Sequence, residues 1–178
     1  MDRGVVFTVD DPFGVLGFPR SFQLDPQAVV RAQGRALAQS HPDRHPEGVA
    51  RELAVLRSAQ VNAAATVLAD PLLRAEALVS MGDPAGRAEP LSIDQLSQLL
   101  DWRESIEESV QASPAQAAEC ATWLKAQTNA TMELLGGEFA RTPIDWVSIR
   151  RLVAYLRALV RLSSDHARLV ERRRGASR

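Results

Sequence analysis

His41-Pro42-Asp43-Arg44-His45-Pro46 is the stretch from which this chain is best read. Two prolines so close together stop an α-helix, because proline has no amide donor and forces the residue before it into extended geometry. Upstream, Asp25 is placed to cap a helix with Pro26 at its first position. That helix is expected to run to about Ser40, with Val29, Ala32, Ala36 and Leu37 on one side. Downstream, a second long helix is expected to start near Glu47. There Val49, Leu53, Leu56, Gln60, Ala63 and Val67 recur at alternating spacings of four and three. Apart from Gln60 this is an apolar seam, expected to face the preceding helix in an antiparallel pair. His41-Pro42-Asp43 then becomes a polar knuckle at the tip of a helical hairpin. Loop residues held up in this way serve partners more often than cores.

The histidines invite a metal reading, since His41 and His45 have the i, i+4 spacing of a helical ligand pair. Pro42 and Pro46 prevent a regular helix from presenting both, so no metal site is expected. The third histidine, His166, falls late in a helical pattern and reads as a surface side chain. Cys120 is the single cysteine; it cannot close an internal disulfide and reads as a small hydrophobe on a helix. No GxxxxGK, GxGxxG or GxSxG motif occurs, so neither an enzyme nor a bound cofactor is expected.

Composition sets the broader frame. The chain has 178 residues, 46% of them hydrophobic and 24% charged, which suits a soluble globular protein of one domain or two small ones. No run approaches the roughly 20 apolar residues of a membrane span. The opening MDRGVVFTVDDP resembles neither a secretory signal nor a transit peptide, and a reducing bacterial cytoplasm is the expected location. The net charge of −1 hides an asymmetry: residues 83–138 are acidic and residues 141–178 are basic and rich in arginine. The two segments could pack side by side and pair, or the basic one could serve nucleic acid or membrane. A regular apolar stripe among the arginines favours the first account.

The rest of the chain continues in helices. A short element around Asp11 to Leu16 is ended by Gly17 and Pro19, Asp70-Pro71 breaks the long helix, and Leu72 to Met81 form another. Residues 8–81 thus make one unit, and residues 82–91, rich in glycine and proline, a linker. Ser92 with Gln95 is a capping-box pair opening the next helix. Ser113-Pro114-Ala115-Gln116 opens a second, which Gly136-Gly137 is expected to end. Thr142-Pro143 is expected to open a third, striped by Trp146, Ile149, Val153, Leu156, Val160, Ser163, Ala167 and Val170. Residues 92–172 make an antiparallel three-helix bundle, residues 173–178 a disordered tail, and the fold class is all-α.

At about 100° per residue, Leu99, Trp102, Ile106 and Val110 form the core stripe of the first bundle helix. Leu96 and Leu100 lie off that stripe, with Asp101, Glu104 and Glu108 on the far side. Two readings are open: a docking surface, or a widened buried face with solvated carboxylates. Tyr155, to one side of the third helix's stripe, is either a flank contact or an interface anchor.

These motifs together resemble a family. The hairpin around His41-Pro42-Asp43 is similar to a J domain, the module that recruits and triggers DnaK-class ATPase chaperones. Leu16-Gly17-Phe18-Pro19, Phe22-Gln23-Leu24-Asp25, Val61-Asn62 with Ala64 and Leu68, and Asp70-Pro71-Leu72-Leu73-Arg74-Ala75-Glu76 resemble one branch of it. That branch is the HscB-type J-domain co-chaperone of iron–sulfur cluster assembly, with an N-terminal J domain and a C-terminal three-helix bundle. The resemblance covers about Asp11 to Val170. It implies that His41, Pro42 and Asp43, with Arg31, Arg35 and Arg44, engage a DnaK/HscA-class ATPase chaperone. It implies that Leu96, Leu100, Asp101, Glu104, Glu108 and Tyr155 bind an IscU-type scaffold protein. Ser40 and Ala65 stand where J domains usually carry aromatics, implying a more loosely packed hairpin. Ser97 replaces an apolar residue of the scaffold patch, implying weaker binding there. Alternatives are a general J-domain co-chaperone with another client or a dimerising bundle, and a helical nucleic-acid-binding protein using the Arg-rich last helix.

Overall fold

The computed structural model describes residues 11–40, 47–83, 85 and 89–176. Regular structure among them is α-helix throughout: α1 Pro12–Leu16, α2 Pro26–Gln39, α3 Val49–Ala69, α4 Pro71–Gly82, α5 Ile93–Ala112, α6 Pro114–Phe139 and α7 Trp146–Ala176. The chain divides into two compact units, Met1–Pro84 and Ala85–Arg178. Pro84 and Gly86 of the expected linker lie outside the described residues. No helix of the described residues is long and apolar enough to cross a membrane.

One local device starts three helices of the first unit: an aspartate N-cap followed by proline. The Asp11 carboxylate accepts from the Gly14 amide at 3.0 Å, that of Asp25 from Gln27 at 2.9 Å, and that of Asp70 from Leu72 and Leu73 at 2.8 and 3.0 Å. Each satisfies amides that a helix start leaves without partners. Gly17 ends α1 at φ 74°, a left-handed conformation that costs little without a Cβ. Around this frame α1, α2 and α4 all pack against α3. Phe13 of α1 is fully buried among them.

The face that α3 buries is not the expected one. Val49 and Leu53 are 72% and 60% exposed, and Leu56 and Gln60 are exposed as well. Buried instead are Ala54, Val61, Ala64, Ala65 and Leu68. This is the expected seam moved on by about one residue, a rotation of about 100°. The cause lies in the side chains. Three helices converge on α3, and alanines at 54, 64 and 65 let them come close while adding little to an apolar pattern. Ala65, in place of an aromatic, is therefore a buried packing residue.

Arg74 accounts for much of the Asp70–Glu76 motif. It is buried, donates from Nη1 to the Leu68 carbonyl at 2.5 Å, and lies 5.3 Å from the centre of the Phe22 ring. It thereby ties the start of α4 to the end of α3 and to the segment before α2.

In the second unit, α5, α6 and α7 pack pairwise into a three-helix bundle. Ser92 and Gln95 form both bonds of the capping box, at 3.2 and 3.0 Å. Ser113 caps α6 through the Gln116 amide at 3.1 Å. Ile106, Leu124 and Leu162 form a core cluster against which Leu99, Trp102, Cys120, Trp123 and Leu169 pack.

Several boundaries in this unit differ from the sequence reading. Helix α6 does not stop at Gly136-Gly137 but continues to Phe139. Gly136 is buried, and packing offsets its poor helix propensity. Helix α7 opens at Trp146 rather than at Thr142-Pro143. The Asp145 carboxylate caps it, accepting from the Val147 and Ser148 amides at 3.1 Å and the Ser148 hydroxyl at 2.7 Å. The last helix does not give way to a tail at residue 173 but extends to Ala176, and Arg173 donates to the Val110 carbonyl of α5.

The α7 stripe holds at Ile149, Val153 and Leu156, then continues through Leu159, Leu162 and His166 rather than Val160, Ser163 and Ala167. Each step of three residues lags a full turn by about 60°. The buried face therefore winds around α7, which packs against both α5 and α6. His166, read from sequence as a surface residue, is consequently buried. Described ion pairs of α7 include Arg150 and Arg151 with Glu89, at 3.5 and 3.6 Å, and the local pairs Arg168–Asp165 and Arg174–Glu171.

Candidate functional site

His41, Pro42, Asp43 and Arg44, with His45 and Pro46, lie outside the described residues. The residues on either side are described. Helix α2 ends at Gln39 with Ser40 as its C-cap, and α3 starts after Gly48 at φ 102°. Ser40 is buried, and its hydroxyl donates to the Ala36 carbonyl at 2.9 Å. The Ser58 hydroxyl of α3 donates to the Ser40 carbonyl at 3.1 Å. Further along the same pair of helices, the Gln33 side-chain amide donates to Asn62 at 2.9 Å. Polar ties thus join α2 to α3 where an aromatic was expected at Ser40.

Arg31 and Arg35 lie one turn apart on the exposed side of α2. Arg31 is held 3.1 Å from Asp25, the residue that caps the same helix. The Gln27 amide, chiefly, and Arg31 hold the Asp25 carboxyl below its ordinary range.

On α5 the leucines off the core stripe are solvent-exposed, Leu96 at 49% and Leu100 at 62%. Glu104 lies in the same arc of the helix, with Glu108 and Asp101 at its edge. All three carboxylates are exposed, and among the described residues none of them makes an ion pair. Glu107, by contrast, is 3.6 Å from Arg103. Ile93, at 82% exposed, extends the apolar patch by one turn toward the helix start. Its i, i+3, i+7 relation to Leu96 and Leu100 is the sequence signal that marks it as part of this face.

Tyr155 meets α5 elsewhere. Its hydroxyl donates to Gln98 at 3.3 Å, and its ring lies 6.2 Å from that of Trp102. Trp102 in turn packs edge-on against Trp123 at 4.5 Å. Gln98 is about 200° around the helix from Leu96, so Tyr155 reaches the flank of α5 nearest Asp101 rather than the leucines. Burial pushes its phenol above the ordinary tyrosine range, which keeps it a neutral donor.

Comparison with known proteins finds relatives along most of the chain. Residues 93–165 match the family model described as the HSCB C-terminal oligomerisation domain. The Co-chaperone protein HscB homolog of Bordetella petrii is 37% identical over 105 residues, which cover 56% of this chain and 62% of that protein. Its counterpart in Bordetella avium is 32% identical over 114 residues, covering 61% of this chain and 68% of that protein. The chain belongs to the HscB co-chaperone family. Sequence matches to the first of these curated relatives span less than two thirds of their length. A structural match extends further: Chaperone HscB from Vibrio cholerae superposes with a TM-score of 0.78 at 26% identity, over 91% of this chain and 98% of that one. As an HscB-family chain, it has the J domain of that fold in α1–α4 and the C-terminal helical bundle in α5–α7.

Proposed function

We propose that this HscB-family chain is a two-ended adaptor. Its J domain stimulates ATP hydrolysis by a DnaK/HscA-class chaperone, and its bundle delivers an IscU-type iron–sulfur scaffold to that chaperone. The observation that carries the reading is the pair of exposed leucines on α5, Leu96 and Leu100, set beside carboxylates that no cation of the described residues neutralises. An apolar centre with an acidic edge suits a partner that offers an apolar patch rimmed by basic groups. Asp101, Glu104 and Glu108 steer that encounter, and Tyr155 anchors its flank.

At the other end, Asp43 is suited to a charge-assisted contact with a partner arginine, Pro42 restricts the loop, and His41 offers a ring and a hydrogen bond. Arg31, Arg35 and Arg44 supply a positive rim, thinned at Arg31 by its pairing with Asp25. The J domain performs no chemistry in this scheme; it biases the chaperone toward its hydrolysing state. The bacterial relatives and the single, partly buried Cys120 suit a reducing bacterial cytoplasm.

The test is an ATPase assay with chaperone and scaffold together. Stimulation by the chain should vanish with His41→Gln or Asp43→Asn. Leu100→Ala should keep the stimulation by the chain alone and weaken scaffold binding at least tenfold, as loss of a central apolar anchor does. Full stimulation by both loop variants would sink the chaperone end, and unchanged scaffold affinity in Leu100→Ala the other. A second reading, in which the bundle associates with itself, is favoured by the description of the matching family model as an oligomerisation domain. Sedimentation of the full chain separates the two: a monomer at micromolar concentration removes the second reading.

A further inference from the structure

A cavity of about 540 Å³ opens where the α5–α6 turn meets the last turns of α7. One wall is made by Ala117, Ala118 and Ala121 of α6, the other by His166, Arg173 and Arg174 of α7. The alanines are too small to fill the space across from α7, so the bundle does not close there. The remaining lining is apolar, and no acidic residue contributes to it.

His166 makes this more than a packing gap. Its side chain is only 6% exposed, and Nε2 is buried with no hydrogen-bond partner. A buried polar nitrogen left unpaired is costly, and such groups in native proteins ordinarily meet a protein, water or ligand partner. The guanidinium groups of Arg173 and Arg174 stand at the mouth, and the positive end of the α6 dipole, at Pro114 in the lining, favours an anion there. Arg173 is positioned by its bond to the Val110 carbonyl, and Arg174 by its pair with Glu171 at 3.0 Å. An apolar trough with an imidazole in its wall and cations at its mouth selects a ligand with an apolar body and an anionic head.

We propose that this end of the bundle is a binding site for a small amphipathic monocarboxylate, its alkyl body along the alanine wall and its carboxylate toward His166 and the arginines. The site is separate from the leucine face: Val110 and Leu100 are ten residues apart on α5, about 15 Å along the helix axis.

The test is a titration of the full chain with octanoate, followed by NMR at the His166 imidazole Cε1–H, assigned through His166→Gln. Octylamine provides the charge-reversed arm and octanol the neutral one. A saturable shift with a dissociation constant on the order of millimolar is expected for octanoate, in keeping with its small size. Octylamine and octanol should bind at least tenfold more weakly. Ala118→Leu/Ala121→Leu fills the trough from two exposed helix positions and should abolish the shift while the circular dichroism stays native. Absence of a saturable octanoate shift overturns the proposal. So does equal affinity for octylamine, or undiminished octanoate binding by a folded double-leucine variant.

Discussion

The two units bury their helices with different side chains. In the J domain, α3 meets its three neighbours through Ala54, Ala64 and Ala65 together with Val61 and Leu68, and Phe13 is the aromatic that they enclose fully. In the bundle the enclosed positions carry Leu124, Leu135, Ile149, Leu156 and Leu159. Small residues allow close approach but make weak patterns, whereas large ones announce themselves. The α5 stripe therefore matches its apolar pattern while the α3 seam is displaced by one residue; on α7, where large residues also lie off the regular stripe, the buried face winds because two helices share it. The difference also changes the meaning of exposed leucines. On α5 they are surplus to a stripe that is buried, and on α3 they are the stripe itself, left uncovered because alanines do the packing.

Phe13→Ala should break the comparison most severely. Removing a fully buried aromatic from a core otherwise rich in alanine costs about 3–5 kcal/mol. Thermal circular dichroism should show α1–α4 melting early. Fluorescence should follow the bundle separately, because Trp102, Trp123 and Trp146 all lie in it. Simultaneous loss of both signals would contradict independent cores.

Leu159→Ala should cost about 2–5 kcal/mol in the fluorescence-detected melt, and Val160→Ala about 0.5 kcal/mol or less. Equal effects would restore the regular stripe in place of the winding one. Ala64→Leu should cost about 1–3 kcal/mol by overpacking the α3 interface, against about 0.5 kcal/mol or less for Leu53→Ala. The reverse order in urea titrations would put the α3 seam back where the apolar pattern suggested.

Removing the cap in Asp70→Ala should cost about 1 kcal/mol, visible as a lower midpoint for the J domain alone. The smallest effect is a pH dependence. Backbone and side-chain hydrogen bonds hold Asp11, Asp25 and Asp145 below the ordinary carboxyl value of 3.8. A depressed folded value means the contribution is fully present above 3.8 and is lost as pH falls through the folded value. Asp25→Asn should therefore flatten the acid side of the J-domain stability curve, while Asp145→Asn should do so for the bundle. Melts that respond to acid alike in wild type and variants would remove these carboxyls from the account.

Caps, breaks and the leucine face of α5 were legible without coordinates. Asp25, Ser92 and Ser113 act within one turn of their own position, so sequence neighbours suffice to define them; Asp11 and Asp70, read as an element's start and a break, cap in the same way. Leu96, Leu100 and Glu104 share a face by helix geometry alone. Tyr155 could be placed on its own helix but not on a neighbour, since its contact with Gln98 depends on how α7 crosses α5. The Ser40–Ser58 tie was hidden for the same reason, because it joins residues on two helices.

Sequence by itself determined the helices, most of their ends, the helix pair α2 and α3 on either side of His41-Pro42-Asp43, and the acidic leucine face, because each depends on spacing within one helix or on a proline. Tertiary structure decided which way α3 faces, how the buried side winds around α7, and that His166 lines a cavity instead of the surface. Those outcomes depend on where a second and third helix come to rest. A pattern along one helix cannot specify this where alanines make the contacts, as on α3, or where two neighbours share one helix, as on α7.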